Sequence, residues 1–344
     1  MLPFTVVLAS RLQCSKGNSL KPFAAFFTAL VSSAALPLIA PAHATDDFPS
    51  RPIRMIVPSA AGGTPDTLLR VLANEASKTL GQPFVIENKP GGSGVLGISE
   101  VEKAAPDGYT VAYANNVTLA INKSTFKELP YDPDALTPIG FLFKVPNILA
   151  IRADSPIKTY EELIKYLKAN PDKLTFASPG QGTSGHLTGE LLATKAGVTF
   201  MHVPYRGSPQ AVTDVLGGQV DLIIDNSPTV LPYIKDGKLR PLVVTSLTRL
   251  EQLPNVPTIA ESGMPGFESV AWGGLVAPPN TPPQVVERLH RAFMEALETP
   301  AVKDRFNNLA VMRMGGKPED LSDYAKVETE KWRAVVKQAG LDPK

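Results

Sequence analysis

From residue 53 onward, short apolar runs alternate with longer stretches of helical period. The runs at 53–57, 84–87, 110–114, 148–151, 175–177, 221–224, 241–245 and 269–276 read as strands. Apolar positions three and four apart predict helices over 67–79, 94–103, 160–169, 184–196, 209–216, 229–235, 283–297, 301–309 and 318–338. In the last of these, Val327, Trp332, Val335 and Val336 form the expected buried stripe. Strand and helix in turn imply an α/β fold with mainly parallel sheets. Asp107-Gly108 and Asp236-Gly237 mark turns.

A chain of 344 residues exceeds one typical domain, yet no Gly- or Ser-rich linker divides it. Two lobes joined by strands are therefore expected, with crossings at 148–151 and 269–276. Lobe 1 then takes 45–147 plus 273–344, and lobe 2 takes 148–272.

The start of the chain differs in kind. Arg11, Lys16 and Lys21 precede an apolar run over 22–40, and Ala42-His43-Ala44 supplies a small-x-small cleavage site. Residues 1–44 are thus expected to be a cleaved signal peptide, and the protein to be periplasmic. The one cysteine, Cys14, falls ahead of the apolar run, so the exported chain relies on no disulfide. A formal net charge of +1 gives no reason to expect nucleic acid as a partner.

Candidate chemistry sits where strands end. Residues 53–57 run into Pro58-Ser59-Ala60-Ala61-Gly62-Gly63-Thr64-Pro65-Asp66, directly before a helix. The two glycines let backbone N–H groups approach a ligand, and the open helix end favours an anion. Asn115-Asn116-Val117-Thr118, residues 178–184, Pro204-Tyr205-Arg206-Gly207-Ser208 and Asp225-Asn226-Ser227-Pro228 are similar turns. In open α/β sheets, ligands bind beyond the carboxyl ends of strands, where such turns lie. The competing interpretation is that their Ser, Thr, Asn and Asp residues simply cap helices. Tyr109, Tyr205 and Trp272 are candidates to line a cleft or to pack in a core, and Arg206 to pair with a carboxylate.

Other motifs carry less. Gly92-Ser93-Gly94-Val95-Leu96-Gly97 fits the dinucleotide spacing, but it trails its strand, and Asn115 stands where an acidic ribose partner belongs. Ser184 and His186 suggest an exported serine hydrolase, although His186 replaces the last glycine of the nucleophile elbow. No His or Cys cluster has metal-ligand spacing, so neither metal nor cofactor is expected.

Six blocks in register carry a resemblance. They are Phe48-Pro49-Ser50-Arg51-Pro52-Ile53 with Gly62-Gly63-Thr64-Pro65-Asp66, Glu87-Asn88-Lys89-Pro90-Gly91-Gly92-Ser93-Gly94, Pro106-Asp107-Gly108-Tyr109-Thr110, Pro204-Tyr205-Arg206-Gly207-Ser208, Leu216-Gly217-Gly218-Gln219-Val220-Asp221, and Lys331-Trp332 with Ala339-Gly340-Leu341. The chain resembles the Bug family, the substrate-binding receptors of tripartite tricarboxylate transporters. The resemblance implies a two-lobed periplasmic-binding-protein type II fold with a ligand cleft between lobes joined by two crossing strands. It implies a non-enzymatic receptor, expected to be monomeric, that captures a small organic acid and delivers it to membrane transporter subunits; a sensory co-receptor for a membrane kinase is the alternative. By the same resemblance Ala61, Gly62, Gly63, Thr64, Asp66, Asn116, Gly182, Thr183, Ser184, Tyr205 and Asp225 should face the ligand. Ser59 stands where relatives often carry an aromatic or larger residue.

Overall fold

The computed structural model describes residues 48–338. The leader and the closing Ala339-Gly340-Leu341 lie outside the described residues. The strands are β1 (Ile53–Val57), β2 (Phe84–Asn88), β3 (Thr110–Asn115), β4 (Thr137–Arg152), β5 (Thr175–Ser178), β6 (Met201–Pro204), β7 (Leu222–Asn226), β8 (Leu239–Val244), β9 (Val270–Ala277) and β10 (Met312–Arg313). The helices are α1 (Thr64–Leu80), α2 (Val95–Glu102), α3 (Asn122–Thr125), α4 (Tyr160–Ala169), α5 (Ser184–Ala196), α6 (Ser208–Leu216), α7 (Ser227–Lys235), α8 (Pro283–Glu298), α9 (Pro300–Asn308) and α10 (Glu319–Gln338).

The strands join in the order β2-β1-β3-β9-β4-β7-β5-β6, with β8 and β10 added on β4. Parallel pairing holds on the two flanks, where β1 lies between β2 and β3 and β5 lies between β6 and β7. β1 is apolar almost throughout because helices cover both of its faces. The centre is antiparallel: β9 pairs with β3 and β4, and β4 with β7 and β8. The expectation of mainly parallel sheets is corrected there. The chain passes from one half to the other along a strand, so no crossover helix enforces parallel pairing.

β4 does the joining. Its first part, through Pro146, pairs with β9, and from Asn147 it pairs with β7 and β8. It is far longer than the expected 148–151. Pro138, Gly140, Lys144 and Pro146 break its apolar pattern, and the register with β9 shifts twice. The chain returns through Ser269 into β9, which belongs to the first half.

α10 docks through an unexpected group. Trp332, Val335 and Val336 are buried, but Val327 is 68% exposed. Five residues at 100° each place Val327 about 140° from Trp332, off the buried stripe. Glu328 takes the inner position, and its Oε2 accepts from the indole N–H of Trp272 at 3.0 Å and of Trp332 at 2.9 Å. Trp272 is therefore a core residue. Tyr109 packs against Phe48 and under Arg51, away from the cleft described below. Among the described residues, no helix is long and apolar enough to cross a membrane.

Candidate functional site

A cleft of about 710 Å³ opens at the carboxyl ends of the parallel strands. On one side stand residues 58–60 and 63–65, the turn around Ser93 and the end of β3 from Asn115 to Thr118. On the other stand 179–181, Thr183, Ser184, 205–208 and Asn226. Tyr113, Phe143, Val145 and Ala271 lie at the floor. A second hollow, of about 800 Å³, lies at the opposite ends of β5 and β7. Its charged rim is already paired in part, Arg152 with Asp154, and the α4 N-terminus that borders it is capped by the Thr159 side chain. The first cleft is the one onto which side-chain-uncapped helix ends open.

Five α-helix N-termini reach its walls, and four have no side-chain cap: that of α2, preceded by Gly94, and three that share one design. Gly63 precedes α1, Gly207 precedes α6 and Asn226 precedes α7; none offers a side-chain acceptor to the first turn. Proline follows within the first two positions each time, removing one donor and pre-setting the turn. The remaining first-turn N–H groups face outward with the positive dipole end. α5 is the exception, since Thr183 accepts from the His186 N–H. The capping interpretation thus holds by side chain at one of these five ends.

The turns that aim these helices depend on glycine. Gly62 has φ +76°, and its N–H donates to Asp66 Oδ2 at 2.9 Å, so the bend is locked from behind. Gly207 has φ +139°, and a Cβ there would stand 2.7 Å from that of Ala60 across the cleft. Two hydrogen bonds bridge the walls: Thr64 Oγ1 lies 3.0 Å from Thr229 Oγ1, and Ser93 Oγ donates to the Gln181 carbonyl at 3.5 Å.

Of the eleven residues expected to face a ligand, Gly63, Thr64, Asn116, Thr183, Ser184 and Tyr205 line the cleft. Ala61 and Gly62 point outward on the exposed side of their bend. Gly182 supports its loop from behind, its N–H donating to His186 Nδ1 at 3.0 Å. Asp66 is buried in the first turn of α1. Burial opposes its charge, but Arg70, the Gly62 N–H and Asn88 outweigh that and hold its carboxyl below the usual range. Asp225 is 1% exposed beneath Asn226, whose N–H donates to its Oδ1 at 2.7 Å. Burial pushes its carboxyl up to about 7, with Ser208 and the Asn226 N–H opposing only in part. Both acids are expected from the sequence to face a ligand; they stand behind the wall instead, each held by neighbouring N–H groups and packing.

The floor residues Tyr113, Phe143, Val145 and Ala271 carry no signal in the sequence that marks them as part of a site, whereas the wall residues named from the sequence bring polar groups with them. Asn116 is 2% exposed, and its side-chain nitrogen has no partner among the described residues; neither has the Ser59 hydroxyl. Buried polar atoms are normally paired, and these two, on residues beside the cleft, are both unpaired and sealed from solvent. Asn115 caps the π-helical turn Val117–Ile121 by accepting from the N–H groups of Val117 and Thr118, a shape no sequence pattern announces. Tyr205 offers its ring, since its hydroxyl is committed to Asp214 Oδ2 at 2.7 Å. Arg206 is the one cationic side chain among the lining residues, and no carboxylate is among them.

Ser184 and His186 do not pair. Ser184 Oγ donates to Asn147 Oδ1 at 3.3 Å, while His186 stacks on His202 with ring centres 4.0 Å apart. His202 Nε2 lies 2.7 Å from Ser178 Oγ, and burial and the neighbouring His186 push its pKa down to about 3. The two rings brace the 178–184 loop.

Comparison with known proteins decides the family. A family model described as "Tripartite tricarboxylate transporter family receptor" matches residues 68–341. The chain belongs to that family. A UPF0065 protein of a Pseudomonas species, from a tcbD-tcbE intergenic region, is 41% identical over 303 residues, covering 88% of this chain and 90% of that one. The solved periplasmic binding protein BugD matches with a TM-score of 0.82 and 36% identity, over 86% of this chain and all of that one. The R. palustris protein Rpa4515 with adipate matches with a TM-score of 0.83 and 35% identity, over 87% of this chain and 100% of that chain. The tripartite-receptor resemblance and the two-lobed periplasmic-binding fold expected from the sequence are borne out.

Proposed function

We propose that this receptor of the tripartite tricarboxylate transporter family captures a small carboxylate-bearing ligand in the periplasm and hands it to the membrane subunits of a transporter. The observation that carries this reading is the set of side-chain-uncapped helix ends at Gly63, Gly207 and Asn226, which open on one cleft without a lining carboxylate. A desolvated carboxylate needs fixed donors, and these ends supply them without reorganisation. The solved relative with adipate supports an organic acid here.

On this reading residues 1–44 are a cleaved export signal, lobe 1 comprises 45–147 plus 273–344, and lobe 2 comprises 148–272. The sheet change at Pro146 and Asn147 supports the first boundary. Ser269, just ahead of β9, would place the second a few residues earlier. Ligand-driven closure of one monomer then biases its recognition by the transporter. No chemistry is performed.

A thermal-shift screen of organic acids, amino acids and aromatic carboxylates tests the ligand class. A true ligand raises Tm progressively with concentration; a flat response across all carboxylates overturns the reading. Uptake into proteoliposomes containing the transporter subunits, dependent on this protein, tests delivery. Co-purification with a membrane kinase instead would favour a sensory role.

A further inference from the structure

Where β4 changes sheets, the Asn147 side chain has no exposure, yet all four of its hydrogen-bonding positions are used. Nδ2 donates to the Ser269 carbonyl at 3.0 Å and to Thr188 Oγ1 at 3.1 Å. Oδ1 accepts from Asn226 Nδ2 at 2.8 Å and from Ser184 Oγ at 3.3 Å. The surrounding Thr188, Thr245 and Ser269 are all 1% exposed or less. Thr245 Oγ1 donates to the same Ser269 carbonyl at 2.6 Å and accepts the Asn147 N–H at 2.9 Å.

The direction of this network is not free. A backbone carbonyl can only accept, so the end of the Asn147 amide that meets Ser269 must be nitrogen. Its oxygen therefore faces Asn226 and Ser184. Asn226 must answer with nitrogen, and its second N–H goes to Ser184 Oγ at 3.3 Å. With both N–H groups committed, the planar Asn226 amide turns its oxygen away from the network. That oxygen has no partner among the described residues and is not sealed from solvent, and Asn226 is part of the cleft wall.

Resting on the carboxylate reading, we infer that the cleft selects a carboxylate bearing a second, hydrogen-bond-donating group, a hydroxyl or an ammonium, which Asn226 Oδ1 accepts. Asn147 is the positioning residue that holds this polarity, and it does so from the point where the two halves of the fold join. The acid group goes to the helix ends; the donor group goes to the one side-chain oxygen whose orientation the hinge network dictates. A ligand lacking the donor leaves Asn226 Oδ1 desolvated and unpaired, and that cost produces the discrimination.

Calorimetry with matched pairs tests this: succinate against malate, glutarate against glutamate, benzoate against 4-hydroxybenzoate. In the tightest-binding pair the donor-bearing member is expected to bind at least about tenfold more strongly. The readout is the ratio and not the absolute affinity: Asn226→Ala should reduce that ratio to near one, whatever it does to the affinity for both members of the pair. Asn147→Leu, which frees the Asn226 amide to turn over, should reduce the ratio in the same way; if it does not fold, Asn226→Ala decides alone. Equal or tighter binding of the bare acids, or a preference that survives Asn226→Ala, overturns the inference and leaves the carboxylate reading standing. If no member of any pair binds and the wider carboxylate screen is also flat, the reading fails and takes the inference with it.

Discussion

The helix ends at the cleft and those on the outer surface solve one problem in opposite ways. On the outside, Thr159 accepts from the Glu162 N–H to begin α4, and Thr299 accepts from the Val302 N–H to begin α9. At the cleft, Gly63, Gly207 and Asn226 leave the same positions without a side-chain acceptor. A side-chain cap contributes ~1 kcal/mol over alanine and a few tenths over glycine, so each open end gives up a little stability that the fold could have had. The difference shows where stability yields to binding: an N–H that has been capped cannot greet a ligand. α5, capped by Thr183 yet lining the cleft, falls between the two classes.

The most direct way to break this comparison is to turn a cleft end into an outer one. Gly63 has an extended backbone, φ −73° and ψ 169°, which suits any capping residue. Its added Cβ would meet only the Ala60 carbonyl, at 3.1 Å. Gly63→Asp should therefore supply the missing cap and raise Tm or leave it unchanged. The same carboxylate would occupy the donors and repel an anion, weakening carboxylate binding by roughly a hundredfold or more. Calorimetry and thermal melting on one sample read both effects. Full affinity in a well-folded Gly63→Asp protein would remove α1 from the site.

A second test uses Asp225, the acid held behind the α7 end. Its folded pKa of about 7 lies above the ordinary carboxylate value near 4. The fold thus holds the proton more tightly than the unfolded chain does. The Asp225 contribution is most favourable below about pH 4, declines as pH rises toward 7, and is constant above. Asp225→Asn, neutral throughout, should be more stable than the native protein at pH 8 by on the order of 1–3 kcal/mol, with the gap closing toward pH 4. Melting curves across that range check it. His202 works in the other direction: its depressed pKa means that stability is present above about pH 6.5 and lost as pH falls toward 3. His202→Gln should flatten that acid limb.

How much of this was legible beforehand follows from what each feature depends on. The end of β1 and the Gly62-Gly63-Thr64-Pro65 turn are local, so their role in aiming a helix end could be read from residue order alone. The Asp66 and Asp225 placements could not, because whether a carboxylate faces a cleft or supports its wall depends on what packs behind it. The full length of β4 is not legible either, because its first half is held by cross-strand partners despite Pro138, Gly140 and Pro146. Asn147 drew no attention: a single Asn in an apolar strand has no pattern, and its meaning lies in Ser184, Asn226 and Ser269, far away in sequence. Val327 was misplaced by the angular spacing along one helix, a local error that a stricter period would have caught.

Thr183 offers a finer division of the same contrast, because its side chain both caps α5 and lines the cleft. Thr183→Ala should cost about 1 kcal/mol of stability and reduce affinity several-fold by loosening the 178–184 loop, whose Gly180 carbonyl also accepts from Thr183 Oγ1 at 2.7 Å. Thr159→Ala removes an equivalent cap from α4, on the outer surface. The Thr159 hydroxyl accepts from Glu162 N–H at 3.2 Å, and Glu162 returns the contact by accepting from the Lys158 N–H at 2.6 Å. The reciprocal pair means that losing one member leaves the other bond in place, so the expected cost is also about 1 kcal/mol or slightly less. Affinity should not change, since α4 contributes nothing to the cleft walls. Denaturant melts and calorimetry on the two variants side by side make the decisive reading a difference: equal losses of stability with unequal losses of binding. Were Thr159→Ala to weaken ligand binding as much as Thr183→Ala does, the helix ends would be acting through global stability alone, and the distinction between open and capped ends would lose its functional meaning.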